Sequence, residues 1–145
     1  MGSCDKRMFC NNSDTSRKGS HSIVSERARR EIYFRVFEVA IAVQKPSAVM
    51  TSYNAVNGIY PAENADVIQK LIRGEWGIDG MVMTDWGTYD TVDAVEMVKA
   101  GNCWLTEGSK KYSRLLEQAV KEGRLSRAVL ERNVRSVIST MLKRV

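Results

Sequence analysis

The sequence predicts an α/β fold in which parallel strands alternate with helices. Three observations predict it. Short apolar runs such as Met81-Val82-Met83-Thr84 lack the in–out alternation of a half-solvated strand, which suits a sheet covered on both faces. Segments with apolar residues at helical spacing lie between those runs. No hairpin signal joins one strand run to the next, so the connections read as crossovers. This order fits either a barrel or a doubly wound open sheet. No GxGxxG follows the first strand and no GxxxxGK[ST] occurs, so the dinucleotide and P-loop forms of the open sheet lose their usual support.

The elements follow in chain order. Residues 1–24 are polar and read as at most a short strand, Met8 to Cys10, followed by a loop. Ser25 is a good N-cap, with Glu26 beside it, for a helix on which Ala28, Ile32, Val36, Ala40 and Val43 recur. Tyr33, Phe37 and Ile41 widen that stripe, and Lys45-Pro46 ends it. Ala48 to Tyr53 is strand-like, and Asn54 to Asn64 is rich in turn residues. Asn64 caps a helix through Val67, Ile68, Leu71 and Ile72. After the Met81–Thr84 strand, Val92, Val95, Met97 and Val98 form a helix stopped at Gly101. Cys103-Trp104-Leu105 is the last short strand. A helix through Leu115, Leu116, Ala119 and Val120 ends at Gly123, and Ser126 caps a final one bearing Leu130, Val134, Val137, Met141 and Val145 on one face.

Composition bounds the function. The chain has 145 residues, 43% hydrophobic and 27% charged, which is enough apolar material for one core. No repeat or linker divides it, so residues 1–145 are expected to form a single domain. No apolar run is long enough to span a bilayer, and MGSCDKRMFC is no secretory leader, which favours a cytoplasmic location and no membrane partner. The net charge of +5 is spread out. Its clusters, Arg27 with Arg29 and Arg30, and Lys143 with Arg144, lie beside acids in helical patterns and read as solvated faces, with no nucleic-acid partner. Three cysteines without CxxC spacing imply neither a disulfide framework nor a zinc site. His21, in a polar loop, is given no role.

In a parallel barrel, catalytic groups sit at the C-terminal ends of strands. Those ends carry Lys6 and Arg7, Tyr53, Asp85 with Trp86, and Glu107. Asp85 closes the apolar Met81–Thr84 strand. A carboxylate there can attack an electrophilic carbon, and an indole beside it can stack on a sugar ring. Tyr53 can donate a hydrogen bond that favours the ionised carboxylate, and Lys6 can bind sugar hydroxyls. A strand-end aspartate also serves as a helix N-cap, a tryptophan or tyrosine as a packed residue, and Glu107 as an exposed loop acid.

Longer motifs decide between these readings. Val49 to Gly58 (VMTSYNAVNG) resembles the MxSYNxVNG segment of glycoside hydrolase family three, the β-glucosidase and β-xylosidase family. Arg73 to Trp86 is similar to its LRxEWGFDGxVxSDW segment, Val24–Ala28 with Arg30–Tyr33 to its VSERALREIY helix, Cys10-Asn11-Asn12 with Arg17 to CNNQExxR, and Ala100-Gly101-Asn102 to the start of AGxDxxMPG. The motifs are in the family's order and cover nearly the whole chain.

The resemblance implies a partial (β/α)8 barrel of about four strands, the second half of a catalytic domain that needs about 250 residues. It implies a retaining mechanism in which Asp85 is the nucleophile and forms a covalent glycosyl-enzyme on terminal nonreducing sugars of β-glucosides or β-xylosides. Lys6, Arg7, Met50, Tyr53 and Trp86 would contact the sugar. No metal or other cofactor is implied. The general acid/base falls on no assigned residue. Arg7 stands where the family has histidine, Cys103 where it has aspartate, and Thr106-Glu107 where it has Met-Pro. Half a barrel also leaves open edges. These features support a second expectation: a non-catalytic half-barrel acting in oligomerisation or carbohydrate binding, its partner a second copy or the missing barrel half.

Overall fold

Ala48–Thr51 is apolar, and every residue in it is buried, so it takes the centre of the sheet. In the computed structural model, which describes residues 2–143, this strand (β3) pairs in parallel with Cys4–Met8 (β1) on one side and Met81–Met83 (β5) on the other. Cys103 N–H donates to the Val82 carbonyl at 2.9 Å, and Thr84 N–H to the Trp104 carbonyl at 3.0 Å, so a single parallel bridge extends the sheet beyond β5. A separate two-residue pair joins His21–Ser22 (β2) to Ala55–Val56 (β4), also in parallel. The chain is thus α/β, with parallel strands and crossover helices.

Among the described residues, five helices longer than a single 3-10 turn surround the strands. The first spans 26–43 (α1) and is wound with π geometry over Arg29–Phe34. Next come Asp66–Glu75 (α2), Ala94–Ala100 (α3), Lys110–Lys121 (α4) and Arg127–Leu142 (α5). The caps are those read from the sequence. Ser25 Oγ accepts from Ala28 N–H at 3.2 Å, Asn64 Oδ1 from Val67 N–H at 3.1 Å, and Ser126 Oγ from Val129 N–H at 3.4 Å. Gly101 ends α3 at φ +119°, where a Cβ would also meet the Gln69 side chain. Gly80 is required by proximity. A Cβ there would lie 2.2 Å from the Ser47 carbonyl oxygen, where β3 and β5 begin side by side.

The main core lies between the sheet and α1–α2. Val49 and Val82, paired in register, meet Phe34, Ile68, Ile72 and Trp76 there. Phe9 and Phe34 pack edge to face at 4.6 Å, and Phe34 and Trp76 at 6.0 Å. A second layer joins α3 to α4 and α5 through Val95, Val98, Ala119 and Leu125. Arg30 forks onto Glu75 at 2.6 and 3.0 Å and ties α1 to α2. Arg27 pairs with Glu31, so this basic cluster is matched by acids.

Three sequence expectations shift. The first strand is Cys4–Met8, earlier than Met8–Cys10, because pairing with β3 selects the polar residues while Met8, Phe9 and Cys10 become core. The last strand shrinks to one bridge at Trp104. The helical stripes are also rotated. On α1 the buried residues are Phe34 and Ile41, with Tyr33 and Phe37 packed beside them, while Ile32, Val36, Val39 and Val43 are exposed. On α5, Asn133 and Thr140 are buried, and Val134, Ile138, Met141 and Leu142 are exposed. Asn133 turns inward because its side-chain N–H groups donate to the Val98 and Asn102 carbonyls at 2.9 and 3.0 Å. Val145 lies outside the described residues.

Two measurements check the packing. Ile72, fully buried, should lose about 2–5 kcal/mol on Ile72→Ala, whereas Val36→Ser should stay within about 0.5 kcal/mol, both read from urea midpoints. Burial pushes the Cys10 thiol up to about 11 from 9.0. The folded state therefore holds that proton where the unfolded chain has released it. This stabilisation is complete below pH 9 and falls as pH rises toward 11, a decline that Cys10→Ala should flatten.

Candidate active site

The C-terminal ends of β1, β3 and β5 bring the site together. In register, Lys6 faces Met50, and Met50 faces Met83, which bridges to Trp104. These four share one row on the face opposite Val49 and Val82, because side chains alternate across a strand. The row is open at Lys6 and Trp104 and closed at Met50.

Asp85 follows β5 by two residues and is only 3% exposed. Its Oδ1 accepts from the Trp86 N–H at 2.8 Å, and its carbonyl accepts from Thr88 Oγ1 at 2.9 Å. The carboxyl group is thus oriented by its own turn. Trp86 is 59% exposed beside it, an unusual position for so large an apolar ring. Two threonines hold the turn from behind. Thr106 N–H donates to Thr84 Oγ1 at 2.8 Å, and Thr106 Oγ1 donates to the Thr84 carbonyl at 2.6 Å.

Tyr53 is buried at the end of β3. Its hydroxyl donates to the Trp86 carbonyl, and the Asp85 carboxylate is also within reach of the phenol. Burial, then the nearby Asp85 charge, push the phenol above its ordinary value. The Arg17 guanidinium lies 4.6 Å from the Tyr53 ring centroid, and the Lys18 ammonium lies 5.9 Å away. Lys18 also pairs with Asp90 at 2.6 Å.

Arg7 is placed by an irregularity. The β1–β3 register shifts between Lys6, opposite Met50, and Met8, opposite Thr51, leaving Arg7 without a partner on β3. The peptide bonds Lys6–Arg7 and Met8–Phe9 are cis. From this bulge Arg7 Nε donates to Asp85 Oδ2 at 2.5 Å. The contact, foremost, raises the guanidinium further above its ordinary value. Arg7 and Lys6 therefore diverge, Arg7 to the carboxylate and Lys6 to solvent. Glu107 is exposed in a left-handed turn. Among the described residues no group of acidic, cysteine or histidine side chains could hold a metal ion, and all three cysteines are free thiols.

Asp85, Tyr53, Trp86, Lys6, Met50 and Arg7, the residues expected to line the site, lie at one end of the sheet. The bulge that turns Arg7 onto Asp85, and the placement of Arg17 and Lys18 at the Tyr53 ring, are features that the fold adds. Arg17 did carry a signal, as the arginine ending the stretch that begins at Cys10-Asn11-Asn12.

Cys103 sits behind the site, its thiol 3.2 Å from both the N–H and the carbonyl of Val82. Burial pulls the Arg73 guanidinium near it below the ordinary value, against the opposing pull of Cys103 and Asp79. Arg73 Nη1 donates to the carbonyls of Ile78 (2.9 Å) and Gly80. Cys103→Asp would give this half-buried cation a carboxylate partner and should raise the urea midpoint. Asp85→Asn removes the counter-ion of Arg7, which is one-third exposed, and should cost about 1–3 kcal/mol, less than a fully buried pair.

Residues 11–140 match the glycosyl hydrolase family 3 N-terminal domain. The chain is 39% identical over 135 residues to probable β-glucosidase J of Aspergillus fumigatus, covering 92% of this chain and 15% of that protein. It is 38% identical over 136 residues to probable β-glucosidase I of Aspergillus oryzae, covering 92% and 16%. Its fold superposes on β-glucosidase 3B from Thermotoga neapolitana, solved in complex with glucose, with a TM-score of 0.88 and 39% identity over 98% of this chain and 21% of that one. The Bifidobacterium adolescentis GH3 β-glucosidase gives a TM-score of 0.89 at 32% identity, over 99% and 21%. Spanning about a fifth or less of these relatives, the chain belongs to glycosyl hydrolase family 3 and corresponds to part of its N-terminal barrel domain.

Proposed function

We propose that this chain is the nucleophile-bearing portion of a retaining β-glycosidase of β-glucosidase type. One observation carries the reading: a buried, turn-oriented carboxylate, Asp85, stands at the end of a parallel strand beside an exposed indole, Trp86. The names of the relatives, all β-glucosidases, support a β-linked glucoside as substrate.

In this mechanism an Asp85 oxygen attacks the anomeric carbon, forming a C–O bond as the bond to the aglycone oxygen breaks. The leaving oxygen takes a proton from a general acid, to which no residue of this chain is assigned. Water then attacks the anomeric carbon, giving a proton back to that same acid/base as its C–O bond forms, and the bond to Asp85 breaks, releasing the sugar and restoring the carboxylate. Trp86 offers a face for the sugar's C–H groups, and Lys6, with Met50 and Tyr53 beneath it, borders the same subsite. Residues 1–145 act as one partial-barrel domain in this scheme.

A 2-fluoro β-glucoside inactivator, applied to the enzyme that contains this segment, should leave its label on the peptide bearing Asp85. Asp85→Asn should lower turnover of an aryl β-glucoside by about 10³-fold or more. Label on any other residue overturns the assignment.

One observation favours a second reading, a half-barrel that associates without turning over substrate. Ile32, Val36, Val39 and Val43 form an exposed apolar stripe on α1, and Val134, Ile138 and Leu142 line a groove of about 1240 Å³ against α4. Light scattering together with an aryl β-glucoside assay separates the two. A dimer of the 145-residue chain without turnover favours the second reading, and turnover by a monomer refutes it.

A further inference from the structure

We propose that Arg7 is a built-in counter-ion that occupies the sugar's place on Asp85, so that a glycoside must displace its guanidinium before the carboxylate can react. The inference rests on the proposed role of Asp85 and deepens it.

Three features of the geometry point to this. First, both Asp85 oxygens are engaged. Oδ1 accepts from the Trp86 N–H at 2.8 Å, and Oδ2 accepts from Arg7 Nε at 2.5 Å. The Trp86 contact is fixed by the turn, which leaves Oδ2 as the oxygen able to change partners. Second, Arg7 reaches Oδ2 from the open side. Its side chain is 32% exposed while that of Asp85 is 5% exposed, so the ion pair is more accessible to solvent through Arg7 than through the carboxylate. A ligand approaching from solvent meets Arg7 first. Third, Arg7 is the residue without a ladder partner on β3. Its backbone is held on either side, at Lys6 and Met8, while Arg7 itself sits in the irregular step of the ladder, where the side chain is re-aimed onto Asp85.

The remaining charges near the site are matched elsewhere. Lys18 pairs with Asp90 at 2.6 Å, and Arg17 with Asp14 at 3.1 Å while lying over the Tyr53 ring. Neither has an ion pair with Asp85, so Arg7 alone serves it as a cationic partner among the described residues. Arginine suits this role better than histidine because it stays charged at every relevant pH. The contact therefore persists where an imidazole would have lost its proton.

Two readouts on the 145-residue chain test the proposal, one covalent and one not. The first is 2,4-dinitrophenyl 2-deoxy-2-fluoro-β-glucoside, whose phenolate leaves without a proton, so no general acid is needed. Asp85 Oδ2 forms the bond to the anomeric carbon as the bond to the phenolate oxygen breaks. Intact-protein mass spectrometry reads the adduct, and peptide mapping locates it. The second is calorimetric binding of deoxynojirimycin, whose ring ammonium competes with the guanidinium for the same carboxylate.

Arg7→His and Arg7→Ala should be labelled on Asp85 about tenfold faster than the unchanged chain, as expected from removing one charge-assisted hydrogen bond. They should also bind deoxynojirimycin more tightly. A merely structural Arg7 gives the opposite: slower labelling and weaker binding. That result overturns the proposal, as does labelling of Asp85 at equal rates with unchanged binding, which leaves the nucleophile assignment standing. If the variants bind deoxynojirimycin more tightly but no chain is labelled, the counter-ion role stands and the nucleophile assignment falls. No label together with no gain in binding overturns both.

Discussion

The parallel ladder on β3 is the constraint from which the rest of the structure follows. Ala48, Val49 and Met50 pair with Cys4, Asp5 and Lys6 on one side and with Met81, Val82 and Met83 on the other. Parallel pairing leaves no room for hairpins, so each connection must travel back over the sheet, and α1 and α2 are the result. The same register aligns the strand ends. Because all three strands point one way, their last residues emerge at one rim, where Tyr53, Asp85 and Arg7 meet although they lie far apart in sequence. The core on the other face, from Val49 and Val82 to Phe34 and Ile72, keeps that rim fixed.

What the sequence made legible was what local chemistry decides. Ser25, Asn64 and Ser126 cap helices because each oxygen satisfies an N–H group one turn ahead, an event within four residues. The Met81–Met83 strand was plain from its unbroken apolar run. Asp85 could be singled out because strand, carboxylate and indole are contiguous. Long-range choices were not legible. Which side of the wide α1 stripe turns inward depends on the neighbours present, and Phe34 won because Phe9 and Trp76 wait for it. The α5 face rotated because Asn133 found two carbonyls at the end of α3, a gain that spacing alone cannot reveal. The β1 bulge had no signature either, since Lys6, Arg7 and Met8 read as an ordinary polar-to-apolar passage.

The departures from the family pattern fall on two layers around Asp85. Arg7 is in direct contact with the carboxylate. Thr106 stands one layer behind, joined to Thr84 by two hydrogen bonds, which keeps the last bridge of the sheet tight although it has shrunk to a single residue. Cys103, in that same segment, leaves Arg73 supported by neutral carbonyls. Local hydrogen bonding thus preserves the backbone where the charges have changed.

The exposed stripe on α1 bears on how the molecule behaves in solution. Ile32, Val36, Val39 and Val43 present apolar surface on a chain whose net charge is +5. At low ionic strength that charge keeps copies apart. The screening length shortens from about 30 Å at 0.01 M salt to about 3 Å at 1 M, so added salt removes the repulsion while leaving the apolar attraction intact. Salt therefore acts on this surface in the sense opposite to its action on a chain held together by ion pairs, since it weakens a repulsion and not an attraction.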